Sequence, residues 1–485
     1  MERRFEVRKA ELLAECKVKP AVFEGMQERL KDFAEPFLDW LVRREQKEHA
    51  RRYLVGLVSD VKRKNTESIA YLHDQERDCL QAFLGQSPWD HQPLLDELAI
   101  QVGQELGEPD AVLVFDPSGF PKAGRDSVGV ARQWCGRLGK VENCQVAVYL
   151  GYVAREEHAL VNVRLYLPKA WALDQPRRRK CGVPRAVRFR TRHELALQML
   201  DDQAAVLPHG WIAGDDEMGR STWFRGKLAA RKERYLLAVP SNTTIRDLRA
   251  KVPEGSRKPA FEQVRHWADN LPREAWSRID VRDAHKGPLV VEAAMARVQA
   301  KTEGRRVGPE EILVVLRVPG EAGKPKYDYY LSNAEEHTPL AEFARVAKAE
   351  HRIEECIQRG KSDAGLADYE VRSWVGWHHH QTLSLIATWF LVQEARRGGK
   401  IHSRHDRSPG SSHVGGAHSQ CTGLRPPEPH CTPCQTPLRA HRSRAAIPLE
   451  TTQPIGSFAH ESATVNPTVE LGTCKPFPSL ILTLA

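Results

Sequence analysis

Cysteine is scarce in this chain: ten in 485 residues, four of them after residue 397. That spacing supports no disulfide framework, so a reducing compartment is expected. The opening MERRFEVRKAELLAECKVKP has no apolar h-region of the kind a secretory signal needs, and a cytoplasmic location is the expectation. Long hydrophobic runs are missing too. The longest, TLSLIATWFLV at 382–392, is about half of the roughly 20 residues needed to cross a bilayer, so no membrane partner is expected. Glycine-rich phosphate loops, a serine nucleophile elbow and paired Cys/His zinc motifs are absent from the central sequence, which argues against a nucleotide kinase, an esterase and a zinc finger. The CTPC at 431–434, with Cys421 and His430 close by, lacks a second well-spaced pair and is not read as a metal site.

What is present is size and positive charge. The length suffices for two or three domains. Lys and Arg number 72 against 63 Asp and Glu, a net charge of +9 that favours a polyanionic partner over an acidic one. A glycosidase built on paired carboxylates fits this balance poorly. Basic charge is concentrated at 40–64, with Arg43, Arg44, Lys47, Arg51, Arg52, Lys62, Arg63 and Lys64 against Glu45, Glu48 and Asp60. Arg44, Lys47 and Arg51 lie three and four apart, so a helix puts them on one face that could follow a phosphate backbone. The same pattern equally describes a solvated helix face.

Periodicity divides the chain. Up to about residue 105 apolar residues recur at threes and fours, as in AVFEGMQERLKDFAEPFLDWLVRREQ, and the spacing predicts helices. From 106 to 240 apolar runs of strand length appear: AVLVFD, NCQVAVYLG, ALVNVRLYLP, then GWIAGD and RYLLAVP alternating with helical segments. Such a pattern predicts an α+β (mixed α/β) fold, a mixed sheet covered by helices. Residues 241–310 are less regular, before strands resume at EEILVVLRVP and KYDYYLSN, and an inserted subdomain over about 241–335 is expected. Helical periodicity then runs to 397. Residues 398–485 carry eleven of the 31 prolines and no Trp or Tyr. Without large apolar anchors this tail is expected to be disordered, and the abrupt change of composition suggests a shifted reading frame.

Three acids stand out by context. Asp116 ends AVLVFD, and the following PSGFPKAG is expected to stop the strand and leave the carboxylate at the sheet edge. Asp215 ends GWIAGD just before a helix. Glu354 sits in AKAEHRIEECIQRGK with Lys361 two turns on, along the same face. Carboxylates brought together from two strand ends and a helix would repel one another unless divalent ions neutralised them, and Mg²⁺ favours few carboxylates plus phosphate oxygens. Taken singly, the two aspartates also suit turn or N-cap positions and Glu354 an exposed helical acid. Asp216, Glu217 and Glu355 are adjacent alternatives. Among the other features, Trp134, Trp223, Trp374 and Trp377 suit base stacking or, more simply, packing; DQPRRRKCGVP reads as a basic loop; and the successive His378, His379 and His380 point in different directions and cannot form one ligand set.

The segments VFDPSGFPKAGRDSVGVARQWCGRLGKVENCQVAVYLGY, RLYLPKAWALD, GWIAGDDEMG and HRIEECIQRGKSDAGLADYEVRSWVGWHHH, in this order over residues 20–396, resemble the DDE-type transposases of the insertion sequence 701 group, relatives of the insertion sequence 4 group. The resemblance implies a ribonuclease-H-like catalytic domain over 106–397 interrupted by the insertion, a helical DNA-binding region over 1–105, and cutting and joining of DNA with Mg²⁺, for which Mn²⁺ would substitute. It implies Asp116, Asp215 and Glu354 as the catalytic, metal-holding acids and Lys361 as the basic residue that follows them. The implied partners are the terminal inverted repeats, target DNA and further copies of the chain, in the bacterial nucleoid. One position departs from the pattern: where relatives carry an Arg four residues before the Glu, this chain has Glu350, with Arg352 nearby as the remaining candidate for handling DNA ends. A nuclease that hydrolyses without joining, and a relative that only binds DNA, are the competing expectations.

Overall fold

The computed structural model describes residues 24–403 apart from 75, 285–286 and 319–324. Five helices come first: α1 (Met26–Leu38), α2 (Arg44–Val58), α3 (Thr66–Leu72), α4 (Arg77–Gly85) and α5 (Gln92–Leu106). Each is amphipathic at helical spacing; α1 buries Leu30, Ala34, Phe37 and Leu38, and α5 buries Leu94, Leu95, Leu98 and Val102. Asn65 caps α3 by accepting the Ser68 N–H at 2.9 Å. The helical reading of this region therefore holds over its described part.

A mixed sheet follows. Its first strands are β1 (Val112–Pro121), β2 (Ala131–Cys135), β3 (Lys140–Val153) and β4 (His158–Leu165), then β5 (Trp211–Gly214) and β6 (Tyr235–Ala238). β3 pairs antiparallel with β1, β2 and β4, whereas β1, β5 and β6 run parallel to one another. Between β4 and β6 lie α6 (Lys169–Leu173), α7 (Gln175–Lys180), α8 (Arg192–Gln203), α9 (Asp216–Arg220) and α10 (Thr222–Ala230). The expected mixed α/β class is observed.

Three details differ from the sequence reading. β1 does not stop at Asp116 but continues to Pro121. Beyond Phe115 it is bordered by β3 alone, because β5 ends at Gly214; half of its amides then have no partner strand, the setting in which a strand admits proline. DQPRRRK forms the short helix α7 rather than a loop, started by Asp174, whose side chain accepts the Arg177 N–H at 3.0 Å. The irregular stretch after 240 holds four strands, β7 (Thr244–Asp247), β8 (Glu262–Gln263), β9 (Ser277–Ala284) and β10 (Gly287–Lys301), with the short helix α11 (Val264–Asp269) and a 3-10 turn at Arg273–Ala275. The C-terminal part of β10, EAAMARVQAK, carries four Ala and reads as helical, and pairing between β9 and β11 (Val307–Val318) overrides that preference.

β12 (Lys326–Ser332) brings these antiparallel strands back beside β6, so the sheet continues in the order β6-β12-β11-β10-β7-β8. They enclose a second core around Ile245, Trp267, Trp276, Leu313 and Leu331. The chain closes with α12 (Leu340–Ala347), α13 (Ala349–Asp363) and α14 (Trp374–Ser403). Residues 377–390 of α14 are buried throughout. The three successive histidines do face separate partners: His378 Nδ1 meets the Trp374 carbonyl at 2.8 Å, His379 bridges the Leu84 and Trp89 carbonyls, and His380 meets the Tyr53 hydroxyl at 2.8 Å and the Gly365 carbonyl. α14 continues past the composition break at 398. The disorder expected beyond it, and the CTPC segment, lie outside the described residues. Among the described residues no helix is long and apolar enough to cross a membrane.

Candidate active site

Register brings the two aspartates together. Phe115 of β1 lies opposite Gly214 of the parallel β5, so the next residues, Asp116 and Asp215, emerge side by side where the shorter strand ends. Asp215 is also the N-cap of α9, its Oδ1 accepting the Met218 N–H at 3.0 Å, so the bland reading of this residue is correct as well. Gly219 makes that cap possible. A Cβ there would lie 1.8 Å from the Ala238 carbonyl oxygen of β6, so only glycine lets α9 sit this close to the sheet.

The third element is α13. Its Ile353 side chain occupies the space above Gly151 of β3, where a Cβ would come within 2.3 Å of Ile353 Cδ1. Gly151 pairs with Val114, two residues before Asp116, and α13 is thereby seated across the site. Lys361 Nζ donates to Ser118 Oγ at 3.0 Å, which fixes the helix's far end beside β1. Glu354 is exposed, with His351 Nδ1 3.4 Å from its Oε2.

Electrostatics tie these groups together. Burial, reinforced by the charge of Glu354 and only partly offset by Lys361, pushes the Asp116 carboxyl up to about 6. Burial and the nearby Asp116 outweigh the Met218 amide and push Asp215 up to about 7. Glu350, one helical turn before Glu354, joins the same group: burial, Asp215 and Asp116 hold its carboxyl well above the usual range. Sequence reasoning treated Glu350 only as a departure from a pattern, although its i, i+4 spacing from Glu354 was the available signal.

The donor chemistry fits a hard divalent cation: several oxygen-only ligands, short of positive charge. As they stand, no three His, Cys, Asp or Glu side chains among the described residues are close enough to grip one ion. The raised carboxyls also set a pH dependence. In the metal-free protein the native carboxyls bind protons at higher pH than unfolded ones, so their contribution to stability falls as pH rises from about 4 to about 7. The melting temperature of the wild type, taken relative to Asp116→Asn/Asp215→Asn, should therefore be highest at about pH 4 and below and fall towards neutrality. Added Mn²⁺ should recover the loss at pH 7, and a difference that is flat with pH would contradict the coupling.

Basic residues singled out in the sequence have mixed fates. The Arg352 guanidinium donates to the carbonyls of Ala154, Arg155 and Glu156, bracing the β3–β4 turn. On α2, Arg51 forms an ion pair with Glu35 of α1 at 2.9 Å and Lys47 with Asp39, which caps the end of α1, at 3.0 Å, while Arg44 is exposed without an acidic partner among the described residues. Trp377 is buried, whereas Trp134 and Trp223 are exposed.

Comparison with known proteins places the chain in a family. Residues 36–288, just over half of the chain and including both aspartates, match the DDE superfamily endonuclease family. A stretch of 104 residues is 40% identical to the probable transposase for insertion sequence element IS701 of Microchaete diplosiphon, covering 20% of this chain and 27% of that relative. Endonucleases of the DDE superfamily generally use divalent metal ions. The family match spans more than half of the chain, and the chain belongs to the DDE superfamily endonucleases.

Proposed function

We propose that this protein is a DNA transposase that cleaves DNA at the ends of an insertion element and joins the freed 3′ ends to target DNA, using Mg²⁺ or Mn²⁺. The observation that carries the reading is the juxtaposition of Asp116 and Asp215, with α13 laid across them. The sheet order supports it. The order β4-β3-β1-β5-β6, antiparallel through β1 and parallel from β1 onward, is what a ribonuclease-H-like reading expects, and in that reading strands β7–β12 are the insertion.

In this reading Asp116, Asp215 and Glu354 hold the cations. When bound, two such ions supply Lewis-acid activation of the attacking hydroxyl and stabilisation of the leaving oxygen in an in-line displacement. The chain's own part is positional. β1 and β5 fix the separation of the aspartates, and the Met218 amide orients Asp215. Lys361, held by Ser118 and placed 4.9 Å over the Phe120 ring, offers a cation to a phosphate beside Asp116. The helical region from α1 to α5 and copies of the chain assembled on DNA complete the reading, with the terminal inverted repeats as specific substrate.

The test is incubation of the full chain with the inverted repeats that flank its gene, a target plasmid and Mg²⁺ or Mn²⁺. Nicked ends together with joined products are expected. Nicks without joining would make it a hydrolytic nuclease, and end binding without nicks a DNA-binding relative; either overturns the proposal.

A further inference from the structure

Residues 175–193, QPRRRKCGVPRAVRFRTRH, hold eight Arg or Lys and no Asp or Glu. The fold divides these eight into two kinds. Four are engaged within the protein. Arg178 is buried and donates to the Pro184 and Val187 carbonyls at 2.8 Å each, pinning the loop after α7. Arg177 lies 3.7 Å over the Trp171 ring and donates to the Arg125 carbonyl. Lys180 pairs with Asp126 at 2.9 Å, and Arg192 pairs with Glu217. The other four, Arg179, Arg185, Arg188 and Arg190, are exposed, and none has an acidic partner among the described residues.

The engaged set explains where the exposed set stands. Arg177 and Lys180 join α7 to the segment between β1 and β2, which carries the exposed Arg125, and the Trp171 indole donates to the Val130 carbonyl at 2.7 Å. Arg192 and His193, at the start of α8, both reach Glu217, in the first turn of the helix that Asp215 caps. The loop is thus tied at one end to the β1–β2 segment and at the other to the catalytic aspartate's own helix. Exposed Arg132 and Trp134 on β2, and exposed Phe189, belong to the same tied segments.

Exposed guanidinium groups gathered on tied segments without counter-charge repel one another, and a polyanion relieves that repulsion. Arginine rather than lysine dominates the set, which suits bidentate contact with phosphate oxygens. Resting on the transposase reading, we propose that the ridge formed by Arg179, Arg185, Arg188 and Arg190, with Arg125 and Arg132, binds the phosphate backbone of duplex DNA and leads it to Asp116 and Asp215. The α2 face differs in kind, since two of its three basic residues are already paired, Arg51 with Glu35 of α1 and Lys47 with Asp39 just after it.

The experiment measures binding of a labelled end duplex by fluorescence anisotropy over a series of salt concentrations. It compares the full-length wild type, Arg185→Ala/Arg188→Ala/Arg190→Ala, and the matching triple Lys variant. The Ala variant should bind more weakly and lower the slope of log K against log salt by roughly 0.9 for each lost phosphate contact, so by about 2 to 3. The Lys variant should keep most of the slope, and all three melting curves should coincide because these side chains are exposed. An unchanged slope in the Ala variant overturns the proposal. Nicking by the wild type, measured alongside, separates the two readings. Nicking with an unchanged Ala slope removes the ridge alone, whereas a wild type that neither binds nor nicks removes the transposase reading and the ridge with it.

Discussion

Asp116→Asn and Asp215→Asn should each abolish DNA cleavage while leaving end binding and folding intact. Each substitution removes a negative oxygen from the group proposed to hold the cations. Several kcal/mol of transition-state stabilisation depend on such ions, which corresponds to a rate loss on the order of 10³-fold or more. Asparagine is the informative replacement at 215, because its side-chain oxygen can still accept the Met218 N–H and keep the α9 cap, whereas alanine would lose both functions. Binding should persist, since carboxylates contribute nothing favourable to backbone phosphate contacts. Folding should persist or improve, because each variant removes a charge that burial, reinforced by neighbouring carboxylates, already disfavours, enough to push Asp116 to about 6 and Asp215 to about 7. Nicking in Mg²⁺ and Mn²⁺, a gel shift and a melting curve on the same preparations check all three parts. Cleavage at the wild-type rate by either variant removes that residue from the site.

The largest expected loss of stability lies elsewhere, where α10 and β6 meet β11 of the antiparallel strands. Arg225 of α10 and Glu311 of β11 are almost wholly buried, with Arg225 Nε 2.7 Å from Glu311 Oε1. The Tyr235 hydroxyl of β6 donates to the same oxygen at 2.6 Å, and Arg225 also donates to the Gly219 carbonyl of α9. Arg225→Met would leave Glu311 buried without its cation, at a cost of about 3–5 kcal/mol. Arg225→Met/Glu311→Leu removes both charges and should regain much of that loss, because a buried pair often contributes little net stability over apolar replacements. Urea unfolding of the wild type, single and double variants measures the difference. A single variant as stable as the wild type would show that water reaches Glu311 and that the junction is not closed.

Much of this protein follows from local sequence. Strict apolar runs in AVLVFD, GWIAGD and RYLLAVP mark strands buried on both faces, and Asp116 and Asp215 were legible as neighbours because parallel strands keep corresponding residues side by side, although β1 runs on past Asp116. Helical spacing placed Glu354 and Lys361 on one face of α13, and that helix indeed lays Lys361 against β1. Composition also separated the segment after 397 from the rest.

Other outcomes depended on partners distant in the chain. Whether β1 ends at Asp116 is decided by β3, which continues beside it beyond the end of β5. Whether EAAMARVQAK is strand or helix is decided by flanking strands, since its own residues favour helix. Glu350 joins the aspartates only because Gly151 lets Ile353 settle onto β3, and Arg352 leaves the site because the carbonyls of the β3–β4 turn lie within its reach. The eight basic residues of 175–193 are chemically alike in sequence, and only the fold sorts them into those that hold a loop and those that face solvent. The physical reason is common to all of these. Periodicity reports which side of an element is apolar, whereas hydrogen-bond and charge partners are supplied by segments tens to hundreds of residues away, and these exist only once the chain has closed on itself.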